Sequence, residues 1–381
     1  MERNTRSALG QFGLTRDYVT SAAVWEQEST QIFRRHWMCV GRIEELGTNG
    51  VHPFTWEGQQ LLAVCGDDRH WRVFRNVCRH RGSLLVRPDE CGEIGHRLQC
   101  PYHAWTYDRQ GCLRAAPNME GVPGFETQDF GLFEIPSASV AGFLWLNFEP
   151  TDAAADFLRP VDDVFRAWQV EQLEIAAELR YLVQANWKLL FQNYSECYHC
   201  PTVHPALNRL TPYLGSANEL MSGPILGGPM QLAAGCGTMS EEGKLVGTPI
   251  ASLDAAQQRQ VSYYTLFPNL FLSVHPDYVL IHRLQRISVR ETEVVCQFLF
   301  QASDRQRPGF EPGPAVRFWD LTNRQDWEVC ERTQLGMEDV GYVPGPYSNL
   351  ESVVAAFDRY YLESLGRLAN EIHARPNARH S

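Results

Sequence analysis

The chain has 381 residues, which at about 150 residues per domain leaves room for two or three domains. With 34 basic against 45 acidic residues the net charge is −11, which argues against nucleic acid or an anionic membrane surface as the partner. No stretch approaches the roughly 18 apolar residues that a membrane-spanning helix requires. The opening MERNTRSALGQFGL lacks the apolar run of a signal peptide, so the chain is expected in the cytoplasm. Its 11 cysteines are odd in number and scattered, which does not suit a disulfide framework. With 12 histidines beside them, metal ligation becomes a question of spacing.

In chain order, residues 1–36 read as a helical segment packing on the later catalytic part, because Tyr18, Val24, Trp25, Ile32 and Phe33 follow a helical period. Residues 37–150 change character. HWMCVGRI, QLLAVCG, WRVFRNV, HRLQCPYHAWTYD and SVAGFLWLNFE are short runs rich in β-branched and aromatic residues, separated by Gly, Asp and Pro. This predicts a small all-β domain of hairpins. A second domain is expected over 151–373. DDVFRAWQVEQL has helical spacing, and LRYLVQANWKLLFQNYSECYHC reads as a strand entering a long helix that Pro201 and Pro205 should end. Residues 211–250 have no clear period and are expected to form a surface segment or a lid. VSYYTLFPNLFLSVHPDYVLIHRLQRISVRETEVVCQFLFQAS alternates, with turn signals at Pro268-Asn269 and Pro276-Asp277, and predicts at least three antiparallel strands. Two C-terminal helices follow, and 374–381 is expected to be a disordered tail.

Two motifs carry chemistry. Cys78-Arg79-His80-Arg81-Gly82 gives C-x-H, and Cys100-Pro101-Tyr102-His103 gives C-x-x-H, each just after a strand-like run. Two hairpin tips brought together would offer two thiolates and two imidazoles. That donor set admits tetrahedral zinc or a Rieske [2Fe–2S] cluster, in which the cysteines hold one iron and the histidines the other. Cys39, Cys65, Cys91 and Cys112 of the same region read as small buried hydrophobes.

The second motif is NWKLLFQNYSECYHCPTVHP. Asn193, Glu196 and His199 fall at i, i+3 and i+6 and would share a helical face. His204 would point away on a continuous helix, but a turn forced by Pro201 can return it beside His199. Two histidines leave room for a carboxylate, the facial triad of non-haem iron(II) oxygenases. Asp326, on a helix with Thr322, Val329 and Cys330 near its own face, is the candidate; an ordinary helix charge is the alternative. Cys197 and Cys200 could instead bind zinc or form a redox pair, although simple packing is the expected role of both.

Together CRHRG, CPYHAW, NWK…QNYSECYHCPTVHP, YYTLFPNLFLSVHPDYV and QDWEVCE resemble the α subunits of Rieske non-haem iron oxygenases, the ring-hydroxylating family. The resemblance spans nearly the whole chain. It implies an α+β protein with an N-terminal all-β Rieske [2Fe–2S] domain and a helix-grip (START-like) antiparallel-sheet catalytic domain. Implied ligands are Cys78, His80, Cys100 and His103 for the cluster, and His199, His204 and Asp326 for a mononuclear Fe(II). Glu196, with Asn193 beside it, is the implied catalytic bridge between cluster and iron across subunits of a homotrimer. Electrons would come from NAD(P)H through a separate flavin- or ferredoxin-type reductase, since no G-x-G-x-x-G follows a strand here. The reaction implied is O₂-dependent hydroxylation of a small organic molecule, an arene or aromatic acid. Most ring-hydroxylating members carry Asp at the bridge. E-C-Y-H-C is similar to members acting on quaternary ammonium compounds such as carnitine and glycine betaine, so N-demethylation or C–N cleavage by a monooxygenase is the alternative. Tyr263, Tyr264, Phe267 and Phe271 are candidates for a cation box.

Overall fold

The computed structural model describes residues 11–46, 50–88 and 97–367. Cys91 and the expected tail lie outside them. The chain divides into two compact units, one from Phe33 to Asp156, the other joining residues up to Ile32 with those from Phe157 onward.

The Phe33–Asp156 unit is built of short strands: β1 (Met38–Arg42), β2 (Val51–Trp56), β3 (Gln59–Cys65), β4 (Trp71–Arg75), β5 (Arg97–Gln99), β6 (Thr106–Asp108), β7 (Leu113–Ala115), β8 (Glu134–Ile135), β9 (Ser137–Val140) and β10 (Phe143–Leu146). They form three antiparallel sheets among the described residues, ordered β1-β10-β9, β2-β3-β4-β8 and β5-β6-β7. Leu62, Val64, Phe74, Leu98, Trp105 and Tyr107 make one shared core, so β3, β4 and the β5–β6 hairpin are fixed against each other by apolar burial. That core anchors the two loops carrying the C-x-H and C-x-x-H motifs.

In the other unit, β11 (Leu173–Val183), β12 (Ile225–Gln231), β13 (Gln260–Leu266), β14 (Leu270–Val274), β15 (Val279–Ser288) and β16 (Glu291–Gln301) form a six-stranded antiparallel sheet ordered β11-β16-β15-β14-β13-β12. Its helices are α1 (Arg16–Thr20), α2 (Ala22–Gln31), α3 (Ala154–Leu158, running in from the first unit), α4 (Asp162–Ala167), α5 (Trp187–Tyr194), α6 (Cys200–Val203), α7 (Pro205–Leu210), α8 (Ala302–Gln306), α9 (Gly313–Glu338) and α10 (Ser352–Ser364). Helix α9 packs on α5 and β11, and α10 packs on α5 and β12. Trp187, Phe191, Phe267 and Phe357 interlock where α5 and α10 meet the sheet.

Four sequence expectations need correction. The N-terminal segment is two helices, broken at Ser21, whose hydroxyl caps α2 at Val24 N–H. The stretch 211–250 is not simply loop, because Ile225–Gln231 is an edge strand paired along its length with β13. Its Gly-Gly-Pro sequence hides it, and an edge is where Pro is tolerated in a sheet. The helix entered from β11 stops at Tyr194, so Glu196 and His199 do not share a helical face with Asn193. Pro201 and Pro205 do not end that helix; they occupy the first turns of α6 and α7, where the missing N–H costs nothing. The 260–301 region holds four strands, with the two Pro-marked turns at their ends.

Glu28 of α2 is fully buried and ties the N-terminal helices to this unit. Its carboxylate accepts from Trp187 Nε1 at 3.0 Å, Lys188 Nζ at 2.5 Å, Tyr361 Oη at 2.6 Å and Arg286 Nη1 at 3.4 Å. A buried charge is tolerable only when it is so completely partnered.

Candidate active site and metal centres

The loop after β4 carries Cys78 and His80, and the β5–β6 turn carries Cys100 and His103. Each loop is closed by its own backbone bonds. Cys78 N–H donates to Ser83 O at 2.8 Å and Cys100 N–H to Trp105 O at 2.7 Å. Gly82 and Ala104 take the left-handed backbone that such tight turns need. Tyr107, fully buried, sets its hydroxyl 3.4 Å from Cys78 Sγ and accepts from Arg79 N–H at 3.0 Å. The imidazoles of His80 and His103 lie edge to face with centroids 4.7 Å apart. His80 is stacked on Trp105 and His103 lies under Tyr102.

The donors fit a dinuclear cluster. Both thiols are buried, and burial pushes Cys78 up from its ordinary value. Nδ1 of His80 and Nδ1 of His103 are both buried with no hydrogen-bond partner, an expensive condition that two metal bonds would relieve. A single tetrahedral zinc would draw all four donor atoms to within about 4 Å of one another. Among the described residues the one such convergence of three or more ligating side chains is elsewhere.

That convergence is His199, His204 and Asp326, whose ligand atoms all lie within 4.8 Å of one another. His199 ends the turn after α5, His204 sits between α6 and α7, and Asp326 projects from the middle of α9. The turn at Pro201 brings the two imidazoles to a centroid distance of 5.1 Å. Asp326 Oδ1 lies 3.3 Å from His199 Nε2 and 2.8 Å from His204 Nε2. Each opposite ring nitrogen is held: His199 Nδ1 lies 2.6 Å from Glu196 Oε1, and His204 Nδ1 lies 2.8 Å from Gln325 Oε1. An Nδ1–H given to these acceptors leaves both Nε2 lone pairs aimed at one point, the arrangement that fixes a metal-binding tautomer. Without metal the three groups pair with each other. Burial disfavours charge on His199, but its bonds to Asp326 and Glu196 outweigh this and raise it to about 10. Burial likewise opposes ionisation of Asp326, yet the two histidines lower it to about 2. A divalent cation would take the place of those protons.

Glu196 also accepts from the backbone N–H of Tyr198 and of His199, so the carboxylate braces the turn as well as the imidazole. Asn193, in the last turn of α5, lines the same cavity as the three ligands. Gln325 was not legible as a site residue; standing next to Asp326 on α9 is the only signal it gives.

The cavity has about 90 Å³ of inner space and is lined by Tyr194, Tyr263 and Trp319 together with Ser216, Asn218 and Thr265. Trp319 is fixed by donating Nε1–H to Tyr278 Oη at 2.7 Å, and Tyr194 is stacked on Phe271 with its hydroxyl 2.6 Å from Ser273 Oγ. Of the four aromatic residues proposed for a cation box, only Tyr263 lines the cavity. Tyr264 on β13, Phe271 on β14 and Phe267 in the turn between them are buried in the core. Cys197 and Cys200 line the cavity too, rather than serving only as packing, and Cys112 is exposed rather than buried.

Residues 36–126 match the Rieske [2Fe-2S] domain and residues 166–367 the ring hydroxylating alpha subunit (catalytic domain). The chain is similar to the glycine betaine monooxygenase oxygenase subunit of Chromohalobacter salexigens, 28% identical over 96% of this chain and 89% of that one. It is 33% identical to the carnitine monooxygenase oxygenase subunit of Escherichia coli over 50% of this chain and 52% of that protein. In fold it resembles a quaternary ammonium Rieske monooxygenase, with TM-score 0.78 at 20% identity, covering 94% of this chain and 96% of that one. Naphthalene 1,2-dioxygenase from Rhodococcus sp. has the same fold, with TM-score 0.71 at 17% identity and coverage of 92% and 94%. With the Rieske match followed by the catalytic-domain match along one chain, the protein belongs to the ring-hydroxylating α subunits of the Rieske non-haem iron oxygenases.

Proposed function

We propose that this chain is the oxygenase component for a small quaternary ammonium compound, oxidised by one oxygen atom at a carbon next to nitrogen. The observation that carries this reading is the cavity. Tyr194, Tyr263 and Trp319 line it beside the carboxylates of Glu196 and Asp326, with Ser216, Asn218 and Thr265 set among Leu, Met and Val side chains. Aromatic faces attract an alkylated cation. Hydroxylation of a compact aromatic acid is the second reading, supported by the same aromatic walls.

Cys78, His80, Cys100 and His103 would hold the cluster, and His199, His204 and Asp326 the iron. When bound, the cluster supplies single electrons and the iron supplies the place where O₂ reacts. The chain's own residues do the rest. Gln325 and Glu196 hold the two imidazoles with Nε2 forward. Glu196, bonded to His199 Nδ1, is the connection through which a cluster imidazole of a neighbouring subunit in a homotrimer would reach this site. Asn193 and the aromatic walls position substrate and limit water. A separate reductase would deliver electrons from NAD(P)H. No helix among the described residues is long and apolar enough to cross a membrane.

The test is oxygen uptake with a reductase and NADH, screening quaternary amines against aromatic acids. The expected result is uptake matched by product with a quaternary amine. Matched turnover with an aromatic acid alone would replace this reading with the second.

A further inference from the structure

Cys197 and Cys200 flank His199, and nothing in the metal centre uses them. Both line the cavity beside His199 and Asp326. The Cys200 N–H donates to Cys197 O at 3.1 Å. A turn closed this way keeps its end Cα atoms within about 7 Å, close to the span of about 4.4–6.8 Å that a disulfide bridges. The two cysteines thus stand one turn apart on the cavity wall. A third group lines that wall. The Tyr263 hydroxyl is buried with no hydrogen-bond partner, and Tyr263 lines the same cavity as both cysteines. A buried hydroxyl without a partner is a donor waiting for a ligand.

We propose that Cys197 and Cys200 form a dithiol modification site within the oxygenase cavity, oxidised reversibly by hydrogen peroxide that Tyr263 Oη holds by a hydrogen bond. Cys197 is the more accessible sulfur and Cys200 is buried, which sets the order of attack. Cys197 Sγ attacks one peroxide oxygen and the O–O bond breaks. The departing hydroxide takes the thiol proton and leaves as water, with Cys197 as the sulfenic acid. Cys200 Sγ then attacks that sulfur; the S–O bond breaks, the S–S bond forms, and a second water leaves. Two thiols lose two hydrogens and two electrons, and one peroxide becomes two waters. In the cell the peroxide would come from O₂ reduced by two electrons and two protons without transfer of oxygen to substrate. That source rests on the proposed oxygenase activity; the thiol chemistry does not.

The test adds peroxide directly to the holoenzyme without reductase, alkylates the remaining thiols with iodoacetamide, and digests with trypsin. Cleavage after Lys188 and Arg209 releases one peptide whose only cysteines are Cys197 and Cys200. At one equivalent of peroxide this peptide should lose two hydrogens and both alkylations together, ahead of the exposed Cys112, and dithiothreitol should restore both. In Cys200→Ser the same peptide should instead carry a sulfenic acid at Cys197 that dimedone traps. Tyr263→Phe should slow disulfide formation several-fold with the dithiol intact. The proposal is overturned if Cys112 is oxidised while the pair stays alkylated, if the peptide gains oxygen without linking, or if Tyr263→Phe leaves the rate unchanged.

Discussion

Gln325→Leu removes the acceptor for one ring nitrogen of a histidine that is only 2% exposed. In the parent, Gln325 Oε1 lies 2.8 Å from His204 Nδ1, which keeps the proton on Nδ1 and the lone pair on Nε2. Leucine has similar bulk and no acceptor. The buried Nδ1–H would then cost about 1–3 kcal/mol, and the imidazole escapes that cost by moving its proton to Nε2, the atom that should face the metal. Either outcome weakens iron binding. Loss of such a supporting bond lowers metal affinity by about 10- to 100-fold, or about 1.4–2.7 kcal/mol. The assay is Fe(II) titration of chelator-treated protein, with the visible absorption of the cluster as internal control. The variant should bind the mononuclear iron 10- to 100-fold more weakly while cluster absorption per chain is unchanged, and Gln325→Glu should restore binding. If the leucine variant binds iron as tightly as the parent, Gln325 does not set the His204 tautomer, and the account of how this site is prepared is wrong.

Three further outcomes follow from other parts of the molecule. Glu196→Ala should keep the cluster but bind the mononuclear iron more weakly, since it loses the bond to His199 Nδ1; with iron restored to saturation it should still nearly abolish turnover coupled to the native reductase, and full coupled activity would remove Glu196 from the electron route. Glu28→Ala leaves Lys188 and Arg286 without their buried counter-charge and should cost about 3–5 kcal/mol in urea unfolding, with Glu28→Gln less damaging; a loss below about 1 kcal/mol would mean the cluster of charges does not anchor α2. His275 is fully buried, and burial lowers it to about 3, so the fold keeps it neutral while the unfolded chain takes up its proton below about pH 6.5. Its contribution is therefore present above that pH and is lost as pH falls towards 3, at about 1.4 kcal/mol per pH unit. His275→Gln should flatten the slope of stability between pH 6.5 and 5 by that amount, and an unchanged slope would show that His275 does not resist protonation.

The Cys/His pairs and the two histidines of the second motif could be singled out because they lie close together in sequence and because imidazoles and thiols have few other reasons to cluster; Asp326, 122 residues beyond His204, was a candidate that the family resemblance favoured over an ordinary helix charge. The return of His204 to His199 was expected from a turn forced by Pro201, whereas the short helix α6, with Pro201 in its first turn, separates the two histidines. What was hidden depends on contacts between distant segments. Tyr194 and Trp319 become cavity walls only when α5 and α9 pack beside the sheet, and no local period marks them. Gln325 looks like any exposed helix glutamine until the His204 ring is placed against it. The β12 strand, ILGGPMQ, lacks strand-forming residues at its centre and is held by its pairing with β13. The end of α5 at Tyr194 was misjudged because the Asn193, Glu196 and His199 spacing imitates a helix. In the fold, Glu196 instead bonds back to the Tyr198 and His199 amides and closes a turn.

The central claim is that one chain holds a dinuclear iron–sulfur cluster and a separate mononuclear iron. Iron and acid-labile sulfide, measured per chain in the parent and in His199→Ala, test it most directly. The account predicts about three irons and two sulfides in the parent, and about two of each in the variant. Zinc without sulfide, or a parent with two irons that His199→Ala does not alter, would contradict it.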